Sequence, residues 1–233
     1  MTRPKIAGAG AATRHFLLPL LAAGFAVALL PAMAADEPPK EWDGLARVSS
    51  KKIDHLYKLP EADFSGYKRV RLDPIEVEFD KNWKPNDSTR SPSSRLTDSD
   101  LQKIREALAE EFRKVFTEEL TENGYPVVTE NGEDVLRVSA AIVNLYITAP
   151  DKMSAGRSRT YTTSAGHMTL VAELRDSVTG KLMARAVDSV QGRDTGPFMM
   201  TTSVTNLAAA RTGLSKWARV LREGLDAATG RAK

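Results

Sequence analysis

Hydrophobic residues recur along this chain in two rhythms. Leu101, Ile104, Leu108, Phe112, Val115, Phe116 and Leu120 fall at helical spacing, which predicts an amphipathic helix over Asp98–Glu122. Thr97, Asp98 or Ser99 can cap its start, and Asp100 adds a negative charge to its first turn. Asn123-Gly124 ends it, with Pro126 close behind. A second stripe, Val204, Leu207, Ala210, Leu214, Trp217, Leu221 and Leu225, predicts a helix over Thr202–Ala228 in which Gly213 is a weak point.

The other rhythm is alternation. Val70 and Leu72 alternate with Arg69, Arg71 and Asp73; past Pro74 the apolar set moves to Ile75, Val77 and Phe79, opposite Glu76, Glu78 and Asp80. A one-residue shift flips every side chain, so a strand over Tyr67–Asp80 must bulge or bend at Asp73-Pro74, and the proline puts it near a sheet edge. Tyr125–Glu130 leads into Asn131-Gly132, a hairpin signal, and then into a long strand, Val135–Thr148. A mixed loop, Ala149–Ala165, precedes the strand Gly166–Asp176, which the turn Asp176–Gly180 joins to Lys181–Gln191. Met168, Leu170, Ala172 and Leu174 share one face of the first arm, and Leu182, Ala184 and Ala186 share one in the second. The order β-α-β-β-β-β-α predicts an α+β fold, a two-layer sandwich with a mostly antiparallel sheet and both helices on one face. Glu41–Gly66 follows neither rhythm. It reads as an irregular arm that lays Trp42, Leu45, Ile53, Leu56 and Tyr57 on the domain surface, with room for a short helix around Lys51–Tyr57.

The N-terminus changes how the charge is interpreted. Arg3, Lys5 and Arg14 precede an apolar run, Phe16–Leu30, and Ala32-Met33-Ala34 then supplies the small residues of a cleavage site. This is the pattern of a secretory signal peptide cut between Ala34 and Ala35. The expected organisation is a signal peptide over Met1–Ala34, an extended arm over Ala35–Gly66 and one α+β domain over Tyr67–Gly230. The whole chain has 33 basic and 30 acidic residues. The signal holds three of the basic ones and no acid, so the mature chain balances at 30 and 30 and offers no global basic field for nucleic acid. Cysteine is absent. Packing alone must therefore carry the stability of an exported chain, and thiol chemistry, cysteine metal sites and a lipid-bearing cysteine are excluded. A periplasmic location is expected, with no membrane-spanning segment once the signal is removed.

Candidate chemistry is sparse. Of the histidines, His15 leaves with the signal, His55 lies in the arm, and His167 has the parity that faces away from the core. His167 beside Ser164 or Thr163 could serve as a general base, but no third orienting group is visible, and a solvated sheet histidine is the plainer account. The histidines lack metal-ligand spacing, Glu76, Glu78 and Asp80 read as a solvated strand face, and no cofactor motif is present. The loop over Lys152–Thr163 carries Arg157, Arg159 and Tyr161 at a strand end, where with His167 they could grip an anionic ligand or a partner.

Several short runs point to a family. Trp42-Asp43-Gly44-Leu45 with Lys51-Lys52, then Tyr57, Asp63-Phe64, Gly66-Tyr67, Leu72-Asp73-Pro74 and Lys81-Asn82-Trp83 resemble the bacterial envelope proteins catalogued as domain of unknown function three-three-one-three, as does Glu173-Leu174-Arg175-Asp176 through Thr179-Gly180. The resemblance covers nearly all of the mature chain and implies an exported envelope protein with no catalytic residues assigned. Many such relatives look like lipoproteins; their lipid-bearing cysteine is missing here. The expectation is a non-catalytic periplasmic binding or interaction module that meets an envelope protein or periplasmic component through strand-end loops or an edge strand. A hydrolase built on Ser164 and His167 is the rival, and a small ligand held between sheet and helices is a third reading.

Overall fold

The computed structural model describes residues 38–87, 95–148, 160–162, 166–192, 199–201 and 203–231. Three short strands come first, β1 (Glu41–Trp42), β2 (Leu45–Val48) and β3 (His55–Lys58), followed by β4 (Arg69–Leu72) and β5 (Glu76–Phe79). Helix α1 (Asp98–Glu122) precedes β6 (Val127–Val128), β7 (Val135–Ile147), β8 (Thr160–Thr162), β9 (Gly166–Asp176), β10 (Leu182–Gln191), β11 (Met199–Thr201) and α2 (Ser203–Thr229). The fold is α+β. Nine of these strands form one sheet in the order β1-β2-β3-β10-β9-β7-β4-β6, with β5 also on β7; β8 and β11 pair separately.

Four expectations are corrected. The sheet is antiparallel in most of its pairings, as expected, but it is mixed: β4 runs parallel to both β6 and β7, and β5 runs parallel to β7. The hairpin expected at Asn131-Gly132 does not form, because β4 lies between β6 and β7 and takes the pairing each would have given the other. Side chains hold that turn from two sides: Arg71 donates to Asn131, and Ser177 both accepts from the Gly132 N–H at 3.0 Å and donates to the Gly132 carbonyl at 2.8 Å. The segment read as an irregular arm supplies three strands, and β3 pairs antiparallel with β10 from Lys58 opposite Ala184 to His55 opposite Val187. No helix forms at Lys51–Tyr57, where a bend leads into β3. The element order is correspondingly longer than β-α-β-β-β-β-α.

The phase change at Asp73-Pro74 is real. It divides the expected strand into β4 and β5, both lying along β7, with Val70, Leu72 and Val77 buried on either side of the break. Of the two, β5 is on the edge and β4 is covered by β6. Helix α1 has the bounds its stripe predicts, and it starts with a capping box. The Asp100 N–H donates to the Thr97 hydroxyl, and the Thr97 N–H donates back to the Asp100 carboxylate at 2.9 Å.

Both helices pack on the sheet face made by Leu136, Val138, Ala140 and Ile142 of β7 with Met168 and Leu170 of β9. Phe112 and Phe116 stack at 4.1 Å in α1, and Trp217 and Leu214 of α2 are buried against the same core. Acidic residues of α1 meet arginines of α2: Glu119 lies 2.8 Å from Arg222, and Glu111 and Glu118 each lie 3.2 Å from Arg211. Gly213 is a close approach. A Cβ there would stand 2.8 Å from Val190 and 2.9 Å from Met168, so the missing side chain lets α2 settle on the sheet.

A candidate ligand cavity between sheet and helices

Among the described residues, the packing of the two layers is incomplete over the middle strands. Ala140 of β7 lies opposite Ala172 of β9, Ala172 opposite Ala186 of β10, and Ala186 opposite Leu56 of β3. One row of alanines thus crosses three adjacent strands on the helix-facing side, and Ala184 extends it in the next row. Above this floor stand Phe112 and Phe116 of α1 and Trp217, Leu221 and Leu225 of α2, with Gly224 and Ala228 adding no bulk. Small side chains facing helices held apart by aromatic rings leave a void that neither layer fills. The result is a cavity of about 360 Å³ with mostly apolar walls.

Charged residues mark its mouth. Lys52, in the loop before β3, reaches Glu223 of α2 with Nζ 2.6 Å from Oε2, and both residues line the cavity. The hydrogen bond from Lys52 outweighs burial and holds the Glu223 carboxyl below its ordinary range, with the charges of Lys52 and of Arg222 at 3.6 Å adding to it. Lys58 also lines the cavity and places its ammonium 5.3 Å from the centre of the Phe64 ring. Beside the cavity, Asp188 of β10 is buried and clamps three parts of the fold. It accepts from Trp217 Nε1 at 2.7 Å, from Lys216 Nζ at 2.7 Å and from the Asp54 N–H at 3.0 Å, while Asp54 accepts in turn from the Ser189 N–H.

The opposite face of the sheet is polar and internally paired. Asp73 accepts from Arg137 at 2.7 Å, from Arg71 at 2.9 Å and from Ser139 at 2.5 Å. Glu173 accepts from Arg175 and Arg185, and the Arg185 guanidinium lies 4.2 Å from the Trp42 ring centre and 2.7 Å from Asp43. Burial pushes the Asp73 carboxyl up, but the hydrogen bonds from Ser139, Arg71 and Arg137 outweigh it and leave the group below its ordinary 3.8. Asp176 is lowered too, chiefly by the N–H and hydroxyl of Thr179.

A pH dependence follows from these two carboxylates. Each binds its proton less tightly when folded, so its stabilisation is complete above about 3.8 and is lost as pH falls from there through the folded value. Urea midpoints taken from about pH 7 to about pH 2 should hold level and then decline below about pH 4. The decline should be shallower in Asp73→Asn. An Asp73→Asn profile that falls as steeply as the unaltered protein's would remove Asp73 from the account.

The residues singled out from sequence are dispersed relative to this cavity. Arg157 and Arg159, with Thr163 and Ser164, lie outside the described residues. Tyr161 is in β8, where its backbone pairs with Met200, and its side chain is outside the description. His167 is exposed on β9, as its parity predicts, with its ring stacked on Tyr146 at 5.1 Å and Nε2 4.0 Å from Asp80. Sequence reasoning missed Lys52, Lys58 and Glu223 as a group. The only local signal was Ala184 and Ala186 at alternate positions on β10 with Ala172 on β9, on a face that ordinarily carries larger side chains.

Comparison with known proteins gives a family and several distant likenesses. A family model described as "Protein of unknown function (DUF3313)" matches residues 36–221. No curated protein matches the chain. Among solved structures, the chain resembles a PelC dodecamer from Paraburkholderia phytofirmans at 11% identity and a TM-score of 0.34, covering 69% of this chain and 95% of that one. It resembles a minor lipoprotein from Acinetobacter baumannii at 9% identity and a TM-score of 0.33, covering 71% and 95%. A DUF4136 family protein from Bacteroides thetaiotaomicron is similar at 12% identity and a TM-score of 0.34, covering 77% and 97%. Likeness at this level carries nothing about partners or assembly over to this chain. The family match is of another kind, extending over most of the sequence from just beyond the expected cleavage site into the last helix, and by it the chain belongs to the DUF3313 family, whose function is unknown.

Proposed function

We propose that the protein is an exported, non-catalytic binding module of the cell envelope that holds a slender apolar ligand between its sheet and helices. The observation that carries this reading is the cavity of about 360 Å³, floored by Ala140, Ala172 and Ala186 and roofed by Phe116 and Trp217. Ligand sites are mostly apolar hollows of ~300–1,000 Å³ with a few polar groups at defined points, and this one fits at the small end. Export rests on the signal pattern ahead of Ala35. No helix among the described residues is long and apolar enough to cross a membrane. The exposed position of His167, away from the cavity lining, favours binding over hydrolysis.

The test is calorimetric titration of 1-dodecanol into protein isolated from the periplasm, whose mass should show a start at Ala35. The unaltered protein should bind, and Ala172→Leu, which grows into the void, should weaken binding by roughly tenfold or more while keeping its melting temperature. No heat of binding with any alkyl chain would end the reading.

A further inference from the structure

We propose that the ligand is a single-chain carboxylate, a fatty acid, with its chain in the cavity and its head taking Lys52 from Glu223 at the mouth. This rests on the binding reading above and adds the chemistry of the head group.

The walls select for a chain. A hollow near the lower end of the usual size range, with alanines on one side and aromatic rings on the other, accepts one flexible chain more readily than a rigid polycycle or a diacyl lipid. The mouth selects for charge. The side chains gathered there are two ammonium groups, Lys52 and Lys58, and one carboxylate, Glu223, leaving one positive charge in surplus. Among the described residues Lys58 has no carboxylate partner and faces the Phe64 ring.

Lys52 is also free to change partner. Its side chain is 59% exposed, and an exposed ion pair of this kind contributes little. Glu223 would not be stranded by the exchange, because Arg222 stands 3.6 Å from its other oxygen. The ammonium groups are compact point charges on flexible stems, suited to following a monoanionic head. A phosphate is more often held by the planar fork of arginine, and the nearby Arg222 is already committed to Glu119 and Asp226.

The experiment compares head groups on one chain length, using dodecanoate, 1-dodecanol and dodecyl phosphate with the mature protein at low salt. Dodecanoate should bind roughly tenfold more tightly than dodecanol, and added salt should narrow the gap. Affinity for the carboxylate series should rise about fourfold per added methylene until the cavity is full. In the double variant Lys52→Gln/Lys58→Gln, checked for a native melting temperature, the ratio of carboxylate to alcohol affinity should fall towards one. Equal binding of dodecanoate and dodecanol would overturn the carboxylate and leave the binding reading standing. Tighter binding of dodecyl phosphate would overturn it in favour of a phosphate head, and absence of binding by all three would overturn both proposals.

Discussion

Gly166→Ala should cost about 4 kcal/mol or more of folding stability, an effect few single substitutions reach. Gly166 opens β9 with φ at +120°, a region that a residue with a Cβ enters only under strain. It does so against the one irregular part of β7. The register between the two strands shifts between Val143 and Tyr146, Asn144 has φ of +53°, and Ile147 stands opposite Gly166. A Cβ built at Gly166 would lie 1.8 Å from the Tyr146 carbonyl oxygen, 2.9 Å from its carbon and 3.1 Å from the Ile147 Cα. All three are backbone atoms, so no side chain can rotate to relieve the contact. The strands must part, and the pair that parts is the most extensive in the sheet. Urea unfolding followed by far-ultraviolet circular dichroism gives the midpoint shift; a midpoint like that of the unaltered protein would show that β9 does not begin against the bulge in this way.

Asp188→Ala is the second large effect, at about 2–5 kcal/mol. The carboxylate is 1% exposed and serves three donors from different parts of the chain. Lys216 can swing back into water, since its side chain is 44% exposed. The Trp217 indole cannot, and the Asp54 N–H also loses its acceptor. Each donor left unpaired costs about 1–3 kcal/mol, and these add to the loss of packing around a vacated carboxylate. Lys216→Ala removes only the exposed partner and should cost about 1 kcal/mol or less. The comparison is the test: if the two variants melt together, Asp188 is a surface ion pair in effect and not the clamp that joins β10, α2 and the loop before β3.

The sequence was most legible where one element could be recognised from its own residues. Helix α1 announced itself by a seven-residue stripe and by Thr97 and Asp100 at its start, and its bounds agree with the structure. The break at Asp73-Pro74 and the strand Gly166–Asp176 were likewise local facts. What was not legible depended on partners distant in sequence. β3 is four residues of mixed polarity, His55–Lys58, and takes its place in the main sheet between β2 and the distant β10. Asn131-Gly132 carried a strong local preference for a hairpin that β4 overrode by entering between the two arms. The cavity has no residue type of its own. It arises where Ala140, Ala172 and Ala186 fall into one row, and that alignment is fixed by strand register, which a sequence pattern leaves open. Lys52 and Glu223, 171 positions apart, meet only where α2 packs beside the loop before β3.

The pairing of β3 with β10 has a consequence for the order in which the molecule can be assembled. Lys58 meets Ala184, and the Asp54 N–H in the loop before β3 meets Asp188, so β1, β2 and β3, which pair among themselves, join the rest of the sheet only when nearly all of the chain exists. Closing a loop of that length is entropically expensive and makes such contacts late and slow ones. The first three strands therefore cannot dock in their native place before β10 exists. The clamp on Asp188 closes later still, because Lys216 and Trp217 belong to α2, so the last helix is the one that completes the fold.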